Sequence, residues 1–241
     1  MSAQRLRRRR RRVLALLVVV QVALVISASP VLAASPLPAC RYADVTTKHP
    51  WYATWRATLL DTIYRVPSSF APADRVSTAN AGLSDSFTVR SLIIQDLRAM
   101  SFAARDVGAG FKVQSAYRSY QTQQAVYQGW VDQLGEAEAR KISARPGHSE
   151  HQLGTTLDLR SQDSNRPPWD YPDWATTKAG AWLKANAWKY GFVMSYPKGR
   201  EATTCYAYEP WHYRYFGRKR AAKIHQSGLT TRQWLWISGG Y

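Results

Sequence analysis

Two short segments of the chain carry side chains that could together build a catalytic zinc site. His151 and Asp158 stand seven positions apart in one segment, and His212 belongs to a later segment, Glu-Pro-Trp-His. Two imidazoles and one carboxylate suit the preference of zinc for nitrogen and oxygen donors. Three protein ligands also leave one coordination position for water, as catalytic zinc sites require. We therefore predict that His151, Asp158 and His212 bind Zn²⁺.

Glu209 precedes His212 by three positions, and this spacing limits how the two side chains can meet. In a regular strand, residues three apart face opposite sides of the sheet. Pro210 interrupts that regularity, because proline lacks a ladder donor and prefers edges or bulges. We expect Glu209 at a bend just before a strand, where it would take a proton from water bound to the zinc.

Arg118 ends a predicted strand and opens a predicted helix, a position from which a cation can point into a cleft. Peptide hydrolysis builds negative charge on the carbonyl oxygen. A fixed donor to that oxygen can be worth about 3–4 kcal/mol. An alternative is that Arg118 pairs with a structural carboxylate.

The elements that must position these residues are short and mixed in type. Alternation predicts strands, and apolar residues at helical spacing predict helices. No regular βαβ rhythm appears, which favours an α+β fold with a mainly antiparallel sheet flanked by helices. Apolar residues also recur at helical spacing in residues 55–64. The predicted helices span residues 86–107, 119–142 and 176–190, and the predicted strands span residues 111–117, 155–159, 192–196 and 206–215.

The first residues of the 241-residue chain indicate export. Arg5 and the run of residues 7–12 supply seven arginines, an apolar stretch follows at residues 13–26, and residues 31–33 (Val-Leu-Ala) suit signal peptidase. The apolar stretch is short for a membrane span, which needs about 20 residues. We predict a signal peptide at residues 1–33, a tether at 34–50 and one domain at 51–241 that carries the candidate zinc site. An uncleaved membrane anchor is the alternative.

The charge of the chain is strongly basic even without that segment. The formal net charge is +17, and it remains +10 after the seven arginines are removed. A solvated basic surface and attraction to an anionic wall or membrane both fit this excess. Nucleic acid is excluded as a partner, because the aromatics are not interleaved with Lys and Arg as in binding modules.

Cys40 and Cys205 are the two cysteines of the chain. In an oxidising compartment they form a natural disulfide candidate, which would stabilise the fold by roughly 4–5 kcal/mol in the chain-entropy model. Lipid attachment at Cys40 is the alternative, although Pro38 is atypical of such sites.

The segments around these residues resemble those of the VanY-type D-alanyl-D-alanine carboxypeptidases of the peptidase M15 family. The resemblance runs over residues 59–217. Its most specific parts are Arg-Pro-Gly-His-Ser-Glu-His at residues 145–151 and Tyr-Glu-Pro-Trp-His-Tyr-Arg-Tyr at residues 208–215. It implies a fold like that of the hedgehog proteins and D,D-peptidases.

Carried over by position, the resemblance implies the zinc ligands and the base already named, Arg118 as the group that stabilises the transition state, and Gln123 and Ser149 as substrate-binding residues. Ala116 and Thr156 depart from the family's frequent Gly and Ala, and Cys205 stands where a small residue is common. Capping of backbone groups is the alternative role for Gln123 and Ser149. An ion pair with Arg214 is the alternative for Glu209, and we expect His148 to be a neighbour of the site.

The resemblance implies an enzyme that hydrolyses the terminal D-alanine of peptidoglycan stem peptides. We expect this enzyme to be exported, as its first residues indicate, and to be a monomer. An L,D-carboxypeptidase or a wall endopeptidase with the same chemistry is the second hypothesis. The third is a zinc-bearing wall-binding protein without hydrolysis, against which the intact Glu209 and Arg118 argue.

Overall fold

The structure is a computed structural model that describes residues 36–84 and 86–241. Within these residues the chain forms eight strands and seven α-helices. The strands are β1 (Val45–Thr46), β2 (Tyr64–Arg65), β3 (Arg75–Ser77), β4 (Thr88–Arg90), β5 (Phe111–Ser115), β6 (Thr156–Ser161), β7 (Phe192–Met194) and β8 (His212–Tyr215). The helices are α1 (Ile94–Asp106), α2 (Tyr120–Leu134), α3 (Glu136–Ile142), α4 (Lys178–Asn186), α5 (Glu201–Thr204), α6 (Arg218–Ser227) and α7 (Thr231–Ser238). The predicted α+β class is confirmed.

The central sheet has four strands in the order β5-β6-β8-β7, and every neighbouring pair is antiparallel. Asp158 of β6 lies directly opposite His212 of β8 in the register of the sheet. On its other side Asp158 is paired with Ser115, just past an irregularity in β5. Directly opposed residues have Cβ atoms about 4.5–5.5 Å apart, so the register alone brings two predicted site residues together.

Helices α1 and α4 cover one face of this sheet and complete the main core. Leu97 of α1 and Leu183 of α4 pack with Leu157 and Leu159 of β6, and all four side chains are fully buried. A second apolar cluster lies beneath the C-terminal helices and includes Trp236. Burial of these side chains removes apolar surface from water and holds β6 in place.

The predicted helix at residues 86–107 is wrong in its first part. Thr88–Arg90 forms β4, which pairs with β3, and α1 begins only at Ile94 after a 3-10 turn at Ser91–Ile93. Val89 is fully buried in this strand. A buried β-branched residue fits a strand as well as a helix face, and the tertiary pairing with β3 decides between them.

Other predicted elements differ mainly at their ends. The predicted helix at residues 119–142 divides at Gly135, whose φ of 79° no helix accommodates, and the one at 176–190 ends as a 3-10 turn at Ala187–Tyr190. Residues 55–64 form no helix, because Asp61 Oδ1 instead accepts hydrogen bonds from the amides of Ile63 and Tyr64. The strand predicted at 206–215 begins only at His212, because a turn precedes it.

The described part of the segment predicted as a tether is fastened to the domain. Cys40 and Cys205 form a disulfide, and β1 pairs with β2. Lipid attachment at Cys40 is therefore wrong, because its sulfur is already bonded. The predicted signal peptide lies outside the described residues. The boundaries of the signal peptide, the tether and the domain stay predictions. Among the described residues, no helix has the length and apolar character that crossing a bilayer requires.

We predict that loss of the disulfide destabilises the fold strongly, because it closes a loop between cysteines 165 positions apart. The chain-entropy model gives about 5 kcal/mol for a loop of this size. Chemical denaturation should show a lower free energy of unfolding for the Cys40→Ser variant and for the reduced protein. The variant should be insensitive to reductant, and equal unfolding midpoints for all samples would contradict the prediction.

Candidate metal centre

His151, Asp158 and His212 converge at one point of the central sheet. One ligand atom from each lies within 4.8 Å of the others, and all three residues are buried. His151 Nε2 is 3.1 Å from Asp158 Oδ2, and His212 Nδ1 is 3.0 Å from Asp158 Oδ1. The structure thus brings together the three residues that the sequence predicts as ligands.

A short 3-10 turn at Glu150–Leu153 positions His151. Ser149 caps this turn by accepting a hydrogen bond from the His151 amide at 3.3 Å. Gly154 ends it with a φ of 70°, a left-handed conformation that favours glycine. Because the chain turns there and enters β6 directly, the side chain of Asp158 lies beside that of His151.

Each histidine is oriented by a partner on its second ring nitrogen. His151 Nδ1 lies 2.6 Å from the Ala116 carbonyl oxygen, and His212 Nε2 lies 3.1 Å from Glu150 Oε2. The other nitrogens, Nε2 of His151 and Nδ1 of His212, therefore face Asp158. His151 Nε2 is buried and, despite its closeness to Asp158, lacks the alignment of a hydrogen bond. Because Nδ1 donates to a carbonyl oxygen, Nε2 of the neutral ring carries a lone pair, and such a nitrogen beside a carboxylate and a second imidazole fits a zinc site.

Glu150 is a site residue that the sequence reasoning missed. It is fully buried, and its Oε1 accepts a hydrogen bond from Arg214 Nη1 at 2.8 Å. Its Oε2 accepts one from Ser195 Oγ at 2.6 Å besides contacting His212. Burial alone would raise the pKa of Glu150, but Arg214 and His212 lower it to about 2. Two positions apart on β8, Arg214 and His212 share a strand face, and this spacing was the available signal.

Arg214 therefore pairs with Glu150, and the alternative in which it pairs with Glu209 is wrong. Its other terminal nitrogen, Nη2, donates to the carbonyl oxygens of Trp55 and Thr58 at 2.9 and 2.7 Å. The guanidinium is fully buried, so these contacts link the N-terminal part of the domain to the strand that carries His212.

Glu209 lies at the edge of the triad, in the bend predicted for it. The His212 amide donates to the Glu209 carbonyl oxygen at 3.1 Å, which closes the turn before β8. Glu209 Oε2 is 3.5 Å from His212 Nδ1. With 15% side-chain exposure, Glu209 is more exposed than Asp158 and Glu150. Burial, with Asp158 and Glu150 nearby, raises the pKa of Glu209 to about 8.

The charges of the triad are strongly coupled. Burial and the nearby Arg118 lower the pKa of His151 to about 4. Burial opposes the charge of His212 as well, yet hydrogen bonds to Asp158 and Glu150 raise its pKa to about 10. The pKa of Asp158 lies below its ordinary value, because the two histidines outweigh the effect of burial. Three carboxylates around one imidazole form an environment that favours a cation.

Arg118 follows β5 and lines the same cleft as the triad. Its amide lies 3.4 Å from the His151 carbonyl oxygen. Among the described residues, no carboxylate oxygen comes within 4.0 Å of its guanidinium, and its Nε is buried without a hydrogen-bond partner. The alternative in which Arg118 forms a structural ion pair therefore has no carboxylate partner among the described residues.

The remaining predicted residues take different places. Ser149 lines the cleft, whereas Gln123 is buried behind its wall and donates to the Ala144 carbonyl oxygen at 2.7 Å. His148 contacts the Asp61 carbonyl oxygen and Asp44 at 2.7 and 2.9 Å and is not among the convergent ligands. The structure thus brings Ser149 to the site and keeps Gln123 and His148 away from its surface.

Aromatic side chains form the outer wall of the cleft, which has a volume of about 480 Å³. These rings belong to Trp130, Trp169, Tyr196, Tyr206, Tyr208 and Trp211. Trp130, Trp169, Tyr196 and the rings within residues 206–211 come from separate parts of the chain, so sequence spacing does not predict that they lie together. A larger and more open groove of about 790 Å³ lies near Gly108 and Gln162 and contains none of the predicted site residues.

Comparisons with known proteins agree with this geometry. The VanY family model, described as D-alanyl-D-alanine carboxypeptidase, matches residues 86–218. The putative carboxypeptidase YodJ of Bacillus subtilis is 33% identical over 181 residues, which cover 73% of this chain and 66% of YodJ. The chain thus spans just under two thirds of that relative.

Two solved structures are also similar. The LD-carboxypeptidase LdcB is 31% identical with a TM-score of 0.65, and the match covers 76% of this chain and 87% of LdcB. A mutant of the D,D-pentapeptidase VanY from a VanB-type resistance cassette, in complex with Zn(II), is 27% identical with a TM-score of 0.64, covering 75% and 99% of the two chains. These neighbours confirm the expected hedgehog and D,D-peptidase fold. Since the family model matches more than half of the sequence, the chain belongs to the VanY family of D-alanyl-D-alanine carboxypeptidases.

Proposed function

We propose that this protein is a zinc-dependent D-alanyl-D-alanine carboxypeptidase that removes the terminal D-alanine from peptidoglycan stem peptides. The observation that carries the proposal is the convergence of His151, Asp158 and His212 at one point, with Glu209 beside them in an open cleft. Membership of the VanY family and the Zn(II) complex of a similar VanY structure support the same chemistry.

The ligand set would be His151 Nε2, one oxygen of Asp158 and His212 Nδ1, because the second nitrogen of each histidine is already held by another group. When bound in such a site, zinc polarises a carbonyl group and lowers the pKa of a water molecule to about 7. These three ligands would leave one coordination position for water.

The residues of the chain supply the proton transfers and the charge stabilisation. The Glu209 carboxylate takes a proton from the attacking water and then donates it to the amine of the leaving D-alanine. The Arg118 guanidinium, which has no carboxylate partner among the described residues, stabilises the negative charge that develops on the carbonyl oxygen. The aromatic wall holds the substrate and keeps bulk water from the reacting atoms.

An L,D-carboxypeptidase is the second candidate. The similarity to the LD-carboxypeptidase LdcB favours it, since LdcB is at least as similar to this chain as the VanY structure is. In both cases the chemistry at the triad is the same, and the walls of the cleft decide which stem peptide enters.

We further propose that the protein acts outside the cytoplasm as a monomer. The basic, apolar and small-residue pattern of residues 1–33 supports export, and the disulfide suits an oxidising compartment. Residues 34–50 would then lead into the catalytic domain at 51–241, and retention of the first segment would anchor the protein to the membrane.

We predict that the purified protein shortens pentapeptide muropeptides by one terminal D-alanine and that a chelator abolishes this activity. Mass spectrometry of pentapeptide and tetrapeptide substrates, with and without chelator, measures both effects. Cleavage of the tetrapeptide alone would support the L,D-specific candidate. Binding of muropeptides without any cleavage would contradict the hydrolase proposal and support a wall-binding protein.

We predict that two substitutions separate metal binding from catalysis. His212→Ala should lose bound zinc and activity together, because it removes a ligand. Glu209→Ala should retain zinc and lose about 10²–10⁴-fold in kcat, because it removes only the base. Zinc content by atomic spectroscopy and kcat on the pentapeptide check both outcomes, and equal zinc content in the His212 variant and the wild type would refute the ligand assignment.

We predict that Glu150 is a positioning residue for His212. Glu150→Gln keeps the size of the side chain but removes the charge that holds His212 Nε2 and Arg214. Loss of such a partner typically weakens metal affinity by about 10–100-fold. Competition titration with a zinc indicator measures the change, and Ser195→Ala, which removes one neutral hydrogen bond to Glu150, should have a smaller effect. An unchanged zinc affinity in a folded Glu150→Gln variant would argue against this role.

A further inference from the structure

Acidic residues are absent from two long stretches of the C-terminal half. Residues 174–200 and 210–241 contain no Asp or Glu, yet they contain eleven Lys and Arg residues. The first part includes α4 and the 3-10 turn after it, and the second includes α6. The positive charge of the protein is therefore concentrated in particular elements, and a uniformly basic surface does not describe it.

Five exposed side chains from these elements form what we call the basic face: Lys184, Lys189, Lys219, Arg220 and Lys223. None of them has a carboxylate oxygen within 4.0 Å among the residues that the structure describes. The nearest polar contacts are neutral: Lys189 Nζ donates to Asn186 Oδ1, and Arg220 donates to the Arg56 carbonyl oxygen. These charges are not neutralised within the fold.

The elements of the basic face are packed together in space. The ring of Trp188, in the 3-10 turn, stacks on His225 of α6 with centroids 4.3 Å apart and planes at 7°. Lys189 Nζ lies 5.7 Å from the centre of the same tryptophan ring. A groove of about 240 Å³ runs between these elements, and Lys184, Trp188 and His225 are among the side chains that line it.

The positive charges of helix α6 are placed where they destabilise the helix. Arg218, Lys219 and Arg220 occupy its first turn, where the helix dipole favours anions, and no acidic residue is present there. Lys219 and Lys223 are four positions apart, a spacing at which like charges repel. Among the residues that the structure describes, only Arg218 of this helix has a carboxylate partner, Asp96 at 2.6 Å. A local choice that opposes folding is a recognised sign of a functional surface.

We propose that the basic face binds a polyanionic polymer that carries repeated phosphate groups. Multiple exposed cations attract such a chain over several phosphates. The charge pattern favours a polymer over a lipid bilayer, because adsorption to a bilayer also uses exposed apolar side chains. The large exposed apolar residues of the described part lie outside α4 and α6. This site is separate from the metal centre and does not depend on the proposed catalysis.

The test measures binding of inorganic polyphosphate to the purified protein at about 0.1 M salt, where long-range surface charge is largely screened. The triple variant Lys219→Gln/Arg220→Gln/Lys223→Gln should bind at least about ten-fold more weakly than the wild type. The matched control is Arg41→Gln/Lys112→Gln/Lys141→Gln, which removes the same charge from residues outside α4 and α6. This control should change the affinity by no more than about three-fold. Thermal unfolding verifies that both variants are folded.

Two outcomes would overturn the proposal. Equal weakening in the two triple variants would mean that only net charge attracts the polymer. Binding of the wild type to vesicles of phosphatidylglycerol, without binding to polyphosphate, would assign the basic face to a membrane surface. Retention of muropeptide cleavage by the basic-face variant is expected, since none of its three positions contacts the cleft.

Discussion

The site depends on the pairing of β6 with β8, which sets Asp158 opposite His212. Antiparallel pairing fixes this register, and a slip of one residue would turn every side chain of a strand to the other face. The buried apolar residues of β6, packed under α1 and α4, make such a slip costly. The core of the protein therefore determines the distance between two of the three metal-binding candidates, and a single glycine-terminated turn returns His151 to them.

Several charged groups are buried around this pairing, and each has a partner. Glu150 connects His212 to Arg214, and Arg214 connects the strand to the carbonyl oxygens of Trp55 and Thr58. Removing one member of a buried ion pair leaves an uncompensated charge, which typically costs 3–5 kcal/mol. The same contacts that hold the N-terminal part of the domain thus restrict the orientation of a histidine at the site.

Chemistry and recognition come from different parts of the molecule. The triad and Glu209 lie on or next to the rigid sheet, where small displacements are resisted by packing. The aromatic wall comes from loops and α2, and the basic face comes from α4, the 3-10 turn after it and α6. Changes in the wall or in the basic face can therefore alter which substrate or polymer is bound without disturbing the groups that would hold the metal.

The sequence by itself determined the types of the candidate ligands, the bend at Glu209 and the α+β class. These depend on side-chain chemistry and on local backbone rules such as the restriction imposed by Pro210. Only the tertiary structure decided that residues 88–90 form a strand, that Gln123 lies behind the cleft wall and that Arg214 pairs with Glu150 and not with Glu209. Each of these depends on contacts between residues distant in the chain. For residues 88–90, local propensity favours helix and strand about equally, and pairing with β3 selects the strand. For the polar side chains, burial requires a hydrogen-bond partner, and the fold decides which partner is near.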